Sequence, residues 1–136
     1  FNHVAIANPK TAPYGLAAEQ VMETLGLWET LQPKLVTGDS IAQTFQFVAT
    51  DNADIGFVAL SQLKAWSRPG SSWTVPQADY APITQQAVLL KKGKDSAAAK
   101  AFLAYLGGAT ATRIILDYGY AIDRTDLQAA RPRPAE

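Results

Sequence analysis

Two short stretches of this sequence hold the groups best suited to chemistry without reactive side chains. The first is Ala12-Pro13-Tyr14-Gly15 and the second is Asp39-Ser40-Ile41-Ala42. Each lies where a strand-like run gives way to a helix-like pattern. The first turn of a helix presents backbone N–H groups that have no carbonyl partner inside the helix. It also carries a partial positive charge, about half an elementary charge at most. Two such starts aimed at one point hold an anion without Lys or Arg. Pro13 has no N–H, so the donors of the first turn are Tyr14 and Gly15. Those of the second are Ser40, Ile41 and Ala42. Both turns also have a purely structural reading, because Pro-x-Gly is common at helix starts and Gly-Asp-Ser is a common cap. Lys10 reads equally well as a solvated loop charge. Asp39 would repel an anion, so at an anion site it must point away, for instance as the helix cap.

Enzyme chemistry finds little support. The chain has one histidine, His3, and no cysteine. That excludes disulfides, thiol nucleophiles and Cys-based metal sites. A lone histidine at a strand start reads as structural; loss of turnover on changing His3 would mark an enzyme. The carboxylate pairs Asp51/Asp54 and Asp123/Asp126 lie in polar loops, where solvated charge is the ordinary state. There is no Gly-x-Ser-x-Gly elbow and no phosphate-binding glycine loop. Gly107-Gly108 reads as a helix stop. No catalytic residue, no cofactor and no cation site is expected.

The elements that must position these turns read as α/β. His3-Val4-Ala5-Ile6-Ala7 is a strand closed by Asn8-Pro9. From Leu16 the positions Ala17, Ala18, Val21, Met22 and Leu25 share a helical face, and Gly26 suits the C-terminal left-handed position. Lys34-Leu35-Val36 reads as a second strand. Ile41, Ala42, Phe45, Val48 and Ala49 form the apolar stripe of a second helix, with Asp39 or Ser40 as N-cap. Asp54 to Leu60 is apolar on both faces, as expected for a buried parallel strand. Strand, helix, strand, helix, strand in order implies a parallel-rich sheet flanked by helices. Trp66 to Pro76 reads as a loop, Ile83 to Leu90 as a fourth strand, and Ala97–Leu106 and Ala109–Tyr118 as helices. The last residues, rich in Pro and Arg, read as a flexible tail.

Composition agrees with this. The 136 residues are 48% hydrophobic and 18% charged, with 12 basic and 12 acidic side chains. That is an ordinary globular balance, and zero net charge offers no bulk attraction to nucleic acid or an anionic membrane. No apolar run reaches the length of a membrane span, and no secretory leader is read. The chain opens directly on the strand-like run Phe1 to Ala7, so a mature or truncated product is expected.

Ala5-Ile6-Ala7-Asn8-Pro9-Lys10-Thr11-Ala12-Pro13-Tyr14-Gly15 resembles the start of the second lobe of periplasmic molybdate-binding proteins. The likeness continues in order through Leu25-Gly26-Leu27-Trp28, Leu31-Gln32-Pro33-Lys34-Leu35-Val36 and Asn52-Ala53-Asp54-Ile55-Gly56-Phe57-Val58-Ala59. It runs on through Pro82-Ile83, Ala87-Val88-Leu89-Leu90, Ala99-Lys100-Ala101-Phe102-Leu103 and Tyr118-Gly119-Tyr120, spanning roughly residues 2–122. The resemblance implies one lobe of a type II periplasmic-binding-protein fold plus a C-terminal crossover strand and helices. Residues 1–76 would form the second ligand-binding lobe, 77–122 the crossover strand and helices, and 123–136 the tail. It implies binding of a tetrahedral oxyanion, molybdate or tungstate, for delivery to an ABC permease in the periplasm. The backbone contacts fall on Tyr14 and Ile41. A tyrosine hydroxyl used by some members corresponds to Ala59 here and is not carried over. The family's first lobe precedes the matching segment, so this chain is expected to carry half of the site. Its partners would then be that first lobe, the permease, and, through exposed apolar surface, a second copy or a swapped element. A ligand-sensing regulatory domain of the same architecture is the alternative, although no DNA-binding element is read here.

Overall fold

Parallel pairing begins with β1 (Val4–Ala7), whose four residues Val-Ala-Ile-Ala are all buried. The structure is a computed structural model, and it describes residues 1–122. The expected tail, 123–136, lies outside the described residues. The element order continues with α1 (Pro13–Thr24), α2 (Trp28–Leu31), a 3-10 turn at Gln32–Lys34, β2 (Leu35–Gly38), α3 (Ile41–Ala49), β3 (Ile55–Gly56), α4 (Leu60–Lys64), α5 (Ala97–Leu106) and α6 (Ala109–Asp117). The chain divides into two compact units, Phe1–Thr84 and from Gln85 onward.

The first unit is built on a three-stranded sheet of order β2-β1-β3 among the described residues. Both pairings are parallel. A strand covered on both faces must be apolar throughout, and β1 meets that requirement. Ile6 packs with Ala18 and Met22 of α1, and Trp28, Leu31, Leu35 and Phe57 close around them. The step from β1 to β2 and the return from β2 to β3 run in opposite directions across the sheet. Right-handed crossovers therefore place α1 and α3 on opposite faces. Gly26, at φ 67°, ends α1 in the left-handed region as its position predicts.

Three expectations need correction. First, Ile83 to Leu90 joins no sheet among the described residues. Its side chains are largely exposed, Val88 at 78% and Leu90 at 69%. Strand-like composition describes a residue's fit to a pleated surface, and without a partner strand the ladder does not form. Second, β3 is only Ile55–Gly56, extended by a Phe57 N–H to Ala5 carbonyl bond of 2.9 Å. Phe57 to Ala59 then leads into α4, and Leu60 opens that helix. Third, the α3 stripe is not uniformly buried. Ala42 is exposed, while Thr44, a polar residue, is the one that is fully enclosed. The reason is local: Gly38 lets the helix approach the end of β2 so closely that an added Cβ would lie 2.9 Å from the Thr44 nitrogen and Oγ1.

Residues 77–84 belong with the first unit through polar ties to the far end of α1. Gln20 Oε1 accepts from the Ala81 N–H at 2.9 Å, and the Thr24 hydroxyl donates to the Asp79 carbonyl at 3.3 Å. In the second unit, α5 is capped by the Ser96 hydroxyl accepting from the Ala99 N–H, and Gly108 opens α6.

Candidate functional site

Parallel strands send their following helices back from the same edge of the sheet, so the register of β1 against β2 decides where α1 and α3 begin. Ala7 faces Gly38 across the ladder. The Asn8 N–H then donates to the Gly38 carbonyl at 2.8 Å, carrying the pairing one step beyond the strands. Adjacent strands are about 4.8 Å apart. Only five residues separate Ala7 from the first residue of α1, and two separate Gly38 from that of α3. The two helix starts therefore lie at the same sheet edge, over neighbouring strands. In open α/β sheets that edge is the ligand side.

The start of α1 is set by its backbone. Pro13 is its first residue, with Ala12 extended before it and no side-chain cap. The loop leading in is tightened by Asn8, whose carbonyl accepts from Thr11 and Ala12 and whose Oδ1 accepts from the Lys10 N–H. Tyr14 is the second helical residue. The Gly15 N–H is engaged by the Ala12 carbonyl at 2.9 Å, which makes Gly15 a poorer donor than its position implied. Its role is spatial: an added Cβ would overlap the Ala7 carbonyl, so only glycine lets α1 start this close to β1.

The start of α3 is set by side chains. Ser40 is the N-cap, its hydroxyl accepting from the Gln43 N–H at 3.2 Å. This settles the cap on Ser40 rather than Asp39. Gln43 Oε1 accepts from the Asp39 N–H, holding the residue before the cap. The buried Thr44 hydroxyl donates to the Ser40 carbonyl at 2.9 Å. Among the described residues, no protein group accepts from the N–H of Ile41 or Ala42. The structure therefore brings Ser40, Ile41 and Ala42 together at one terminus, and Tyr14 and Gly15 at its neighbour. Phe45, farther along α3, meets Trp66 edge-on at 5.2 Å, so the segment after α4 covers this helix.

Sequence reasoning missed Gln62. Its side chain spans from α4 to the first turn of α3, and no local pattern signals a contact across twenty-one residues. Its other neighbour, the Ala59 N–H at helix spacing, was legible in principle.

The opposite end of the sheet carries a different device. Asp54 Oδ2 accepts from the N–H groups of Asn2 and His3, each at 2.8 Å. These two bonds, the one from His3 first, hold its carboxyl below the ordinary value. Lys34 donates to the Phe1 carbonyl and lies 5.0 Å above the Phe1 ring. His3 thus serves through its backbone. Among the described residues no three His, Cys, Asp or Glu cluster as a metal site would require. No helix there is long and apolar enough to cross a membrane.

The fold is thus a parallel α/β lobe with two helix starts at the same sheet edge, over neighbouring strands. A family model described as bacterial extracellular solute-binding protein matches residues 1–121, and the chain belongs to that family. It is 58% identical over 123 residues to the molybdate-binding protein ModA of Rhodobacter capsulatus, covering 90% of this chain and 48% of that one. It is 56% identical over 124 residues to ModA of Azotobacter vinelandii, covering 90% and 49%. A solved Azotobacter vinelandii periplasmic molybdate-binding protein superposes with a TM-score of 0.83 at 41% identity, covering 91% of this chain and 55% of that one. The chain thus spans about half the length of the curated relatives it matches.

Proposed function

We propose that this chain is one lobe of an extracytoplasmic solute-binding protein that holds a tetrahedral oxyanion, molybdate or tungstate, and delivers it to an ABC permease. The observation that carries the reading is the Ala7–Gly38 register, which sets the starts of α1 and α3 side by side. The donors are the backbone N–H groups of Tyr14 and Ile41, with Ala42 and Ser40 behind them and Gly15 contributing less. An anion held by neutral amides leaves no buried charge when the ligand departs, which suits a protein that must also release its cargo. The relatives named as molybdate-binding support the choice of oxyanion. The protein is not an enzyme, it needs no cofactor, and its place of action is the periplasm.

The donors lie on one side only, so a tetrahedral ion needs a facing lobe to complete its shell. We assign that part to the other half of the family's length, and the exposed Phe102, Leu90 and Val88 of the second unit to partner contacts of lobe or second copy. The test is calorimetric titration with molybdate, tungstate and sulfate, with and without the facing lobe supplied in trans. Molybdate binding that requires the facing lobe, with sulfate rejected, supports the reading. A folded, reassembled pair that binds none of the three overturns it.

A further inference from the structure

Gln62 is half-buried and uses both ends of its amide. Its Oε1 accepts from the Ala59 N–H at 3.0 Å, and its Nε2 donates to the Ile41 carbonyl at 3.2 Å. Only one orientation of the amide satisfies both partners, because one offers a hydrogen and the other a lone pair. Ala59 ends the passage from β3 into α4, and Ile41 opens α3. The side chain is therefore a tie between two segments that leave the same sheet edge from the strands on either side of β1. The Ile41 carbonyl belongs to the peptide unit whose N–H is that of Ala42. Holding this oxygen fixes the plane of that peptide and the direction of its N–H. A hydrogen bond at the oxygen also polarises the N–H at the other end of the unit.

We infer that Gln62 is a positioning residue for the oxyanion: through the Ile41 carbonyl it aims and strengthens the Ala42 amide donor in the first turn of α3. The inference rests on the functional reading above. Its consequence is local to one of the two helix starts, since among the described residues the Gln62 side chain bonds Ala59 and Ile41 and not the loop that leads into α1.

The test is amide NMR and molybdate titration of the full-length protein, wild type against Gln62→Met, which keeps the length of the side chain and removes both bonds. The expected result is about tenfold weaker molybdate binding, with a smaller molybdate-induced shift of the Ala42 amide at saturation and an unchanged shift at Tyr14. A merely structural role would move both amides or neither. If Gln62→Met does not fold, the wild-type protein decides. The Gln62 side-chain amide is expected to be protected from exchange and to shift with molybdate, and an unprotected, unresponsive amide overturns the inference. If wild type responds at Tyr14 and Ile41 but Gln62→Met behaves identically, the inference fails while the functional reading stands. If molybdate moves neither Tyr14 nor Ile41 in wild type, both fail.

Discussion

The two helix starts that share one sheet edge are held by opposite means. At α1 the backbone path does most of the work, with no side-chain cap: Pro13 sets the entry, the Asn8 carbonyl and Oδ1 tie the loop, and Gly15 permits contact with β1. At α3 the work falls to side chains, with Ser40, Gln43, Thr44 and Gln62 each bonding the first turn or the residue before it. A start fixed by shape tolerates changes that leave the backbone path open. A start fixed by polar contacts can be adjusted one bond at a time. The pair therefore divides into a start set mainly by backbone fit and a start set mainly by side-chain bonds.

Substitution can break this contrast at either end. Gly15→Val should have the largest effect, about 3 kcal/mol of lost stability, because the new side chain meets strand backbone that cannot yield. The helix-propensity gain from replacing glycine, at most about 0.5–1 kcal/mol for alanine and less for β-branched valine, is too small to offset it. Urea denaturation followed by circular dichroism reads the loss, and a midpoint equal to wild type would show that α1 need not approach β1 so closely. Ser40→Asp separates capping from binding. Aspartate caps as well as serine, so the midpoint should stay within about 0.5 kcal/mol of wild type. The added carboxylate should weaken molybdate binding at least about tenfold in calorimetry. Undiminished affinity would place the ligand elsewhere.

Thr44→Val tests the buried bond under α3. Losing the donation to the Ser40 carbonyl should cost about 1 kcal/mol, read from the same urea curves. A variant as stable as wild type would mean that packing against Gly38 alone seats the helix. The smallest effect belongs to the far end of the sheet. Asp54 has a depressed pKa in the folded chain, so its contribution is complete above the unfolded value, about 3.9. It is lost as pH falls through the lower folded value. Melting temperature plotted against pH should therefore fall less steeply below about pH 4 in Asp54→Asn than in wild type. Molybdate affinity at neutral pH should not change, because this anchor lies away from the helix starts.

Much of this architecture could be read from residue types. The alternation of short apolar runs with helical stripes located β1, α1, β2, α3, α5 and α6, since burial on one helix face or on both strand faces leaves a periodic mark. Capping preferences are local, so they mark the helix starts to within a few residues: the helical pattern reads from Leu16, where α1 begins at Pro13, and the second cap reads as Asp39 or Ser40, where it is Ser40. What stayed hidden depends on contacts distant in sequence. Ile83 to Leu90 has strand-like residues, yet pairing needs a neighbour that composition does not reveal. Thr44 is buried because Gly38 admits it, and Gly15 acts as a spacer against Ala7. Gln62 reaches Ile41 only once β3 and α4 are in place.

The central claim is that an oxyanion sits between the starts of α1 and α3. Locating tungstate by anomalous X-ray scattering in crystals of the full-length protein tests it most directly. The account predicts one tungsten peak with its oxygens in hydrogen-bond reach of the Tyr14 and Ile41 nitrogens. A fully occupied tungstate bound elsewhere, with those amides facing solvent, would contradict it.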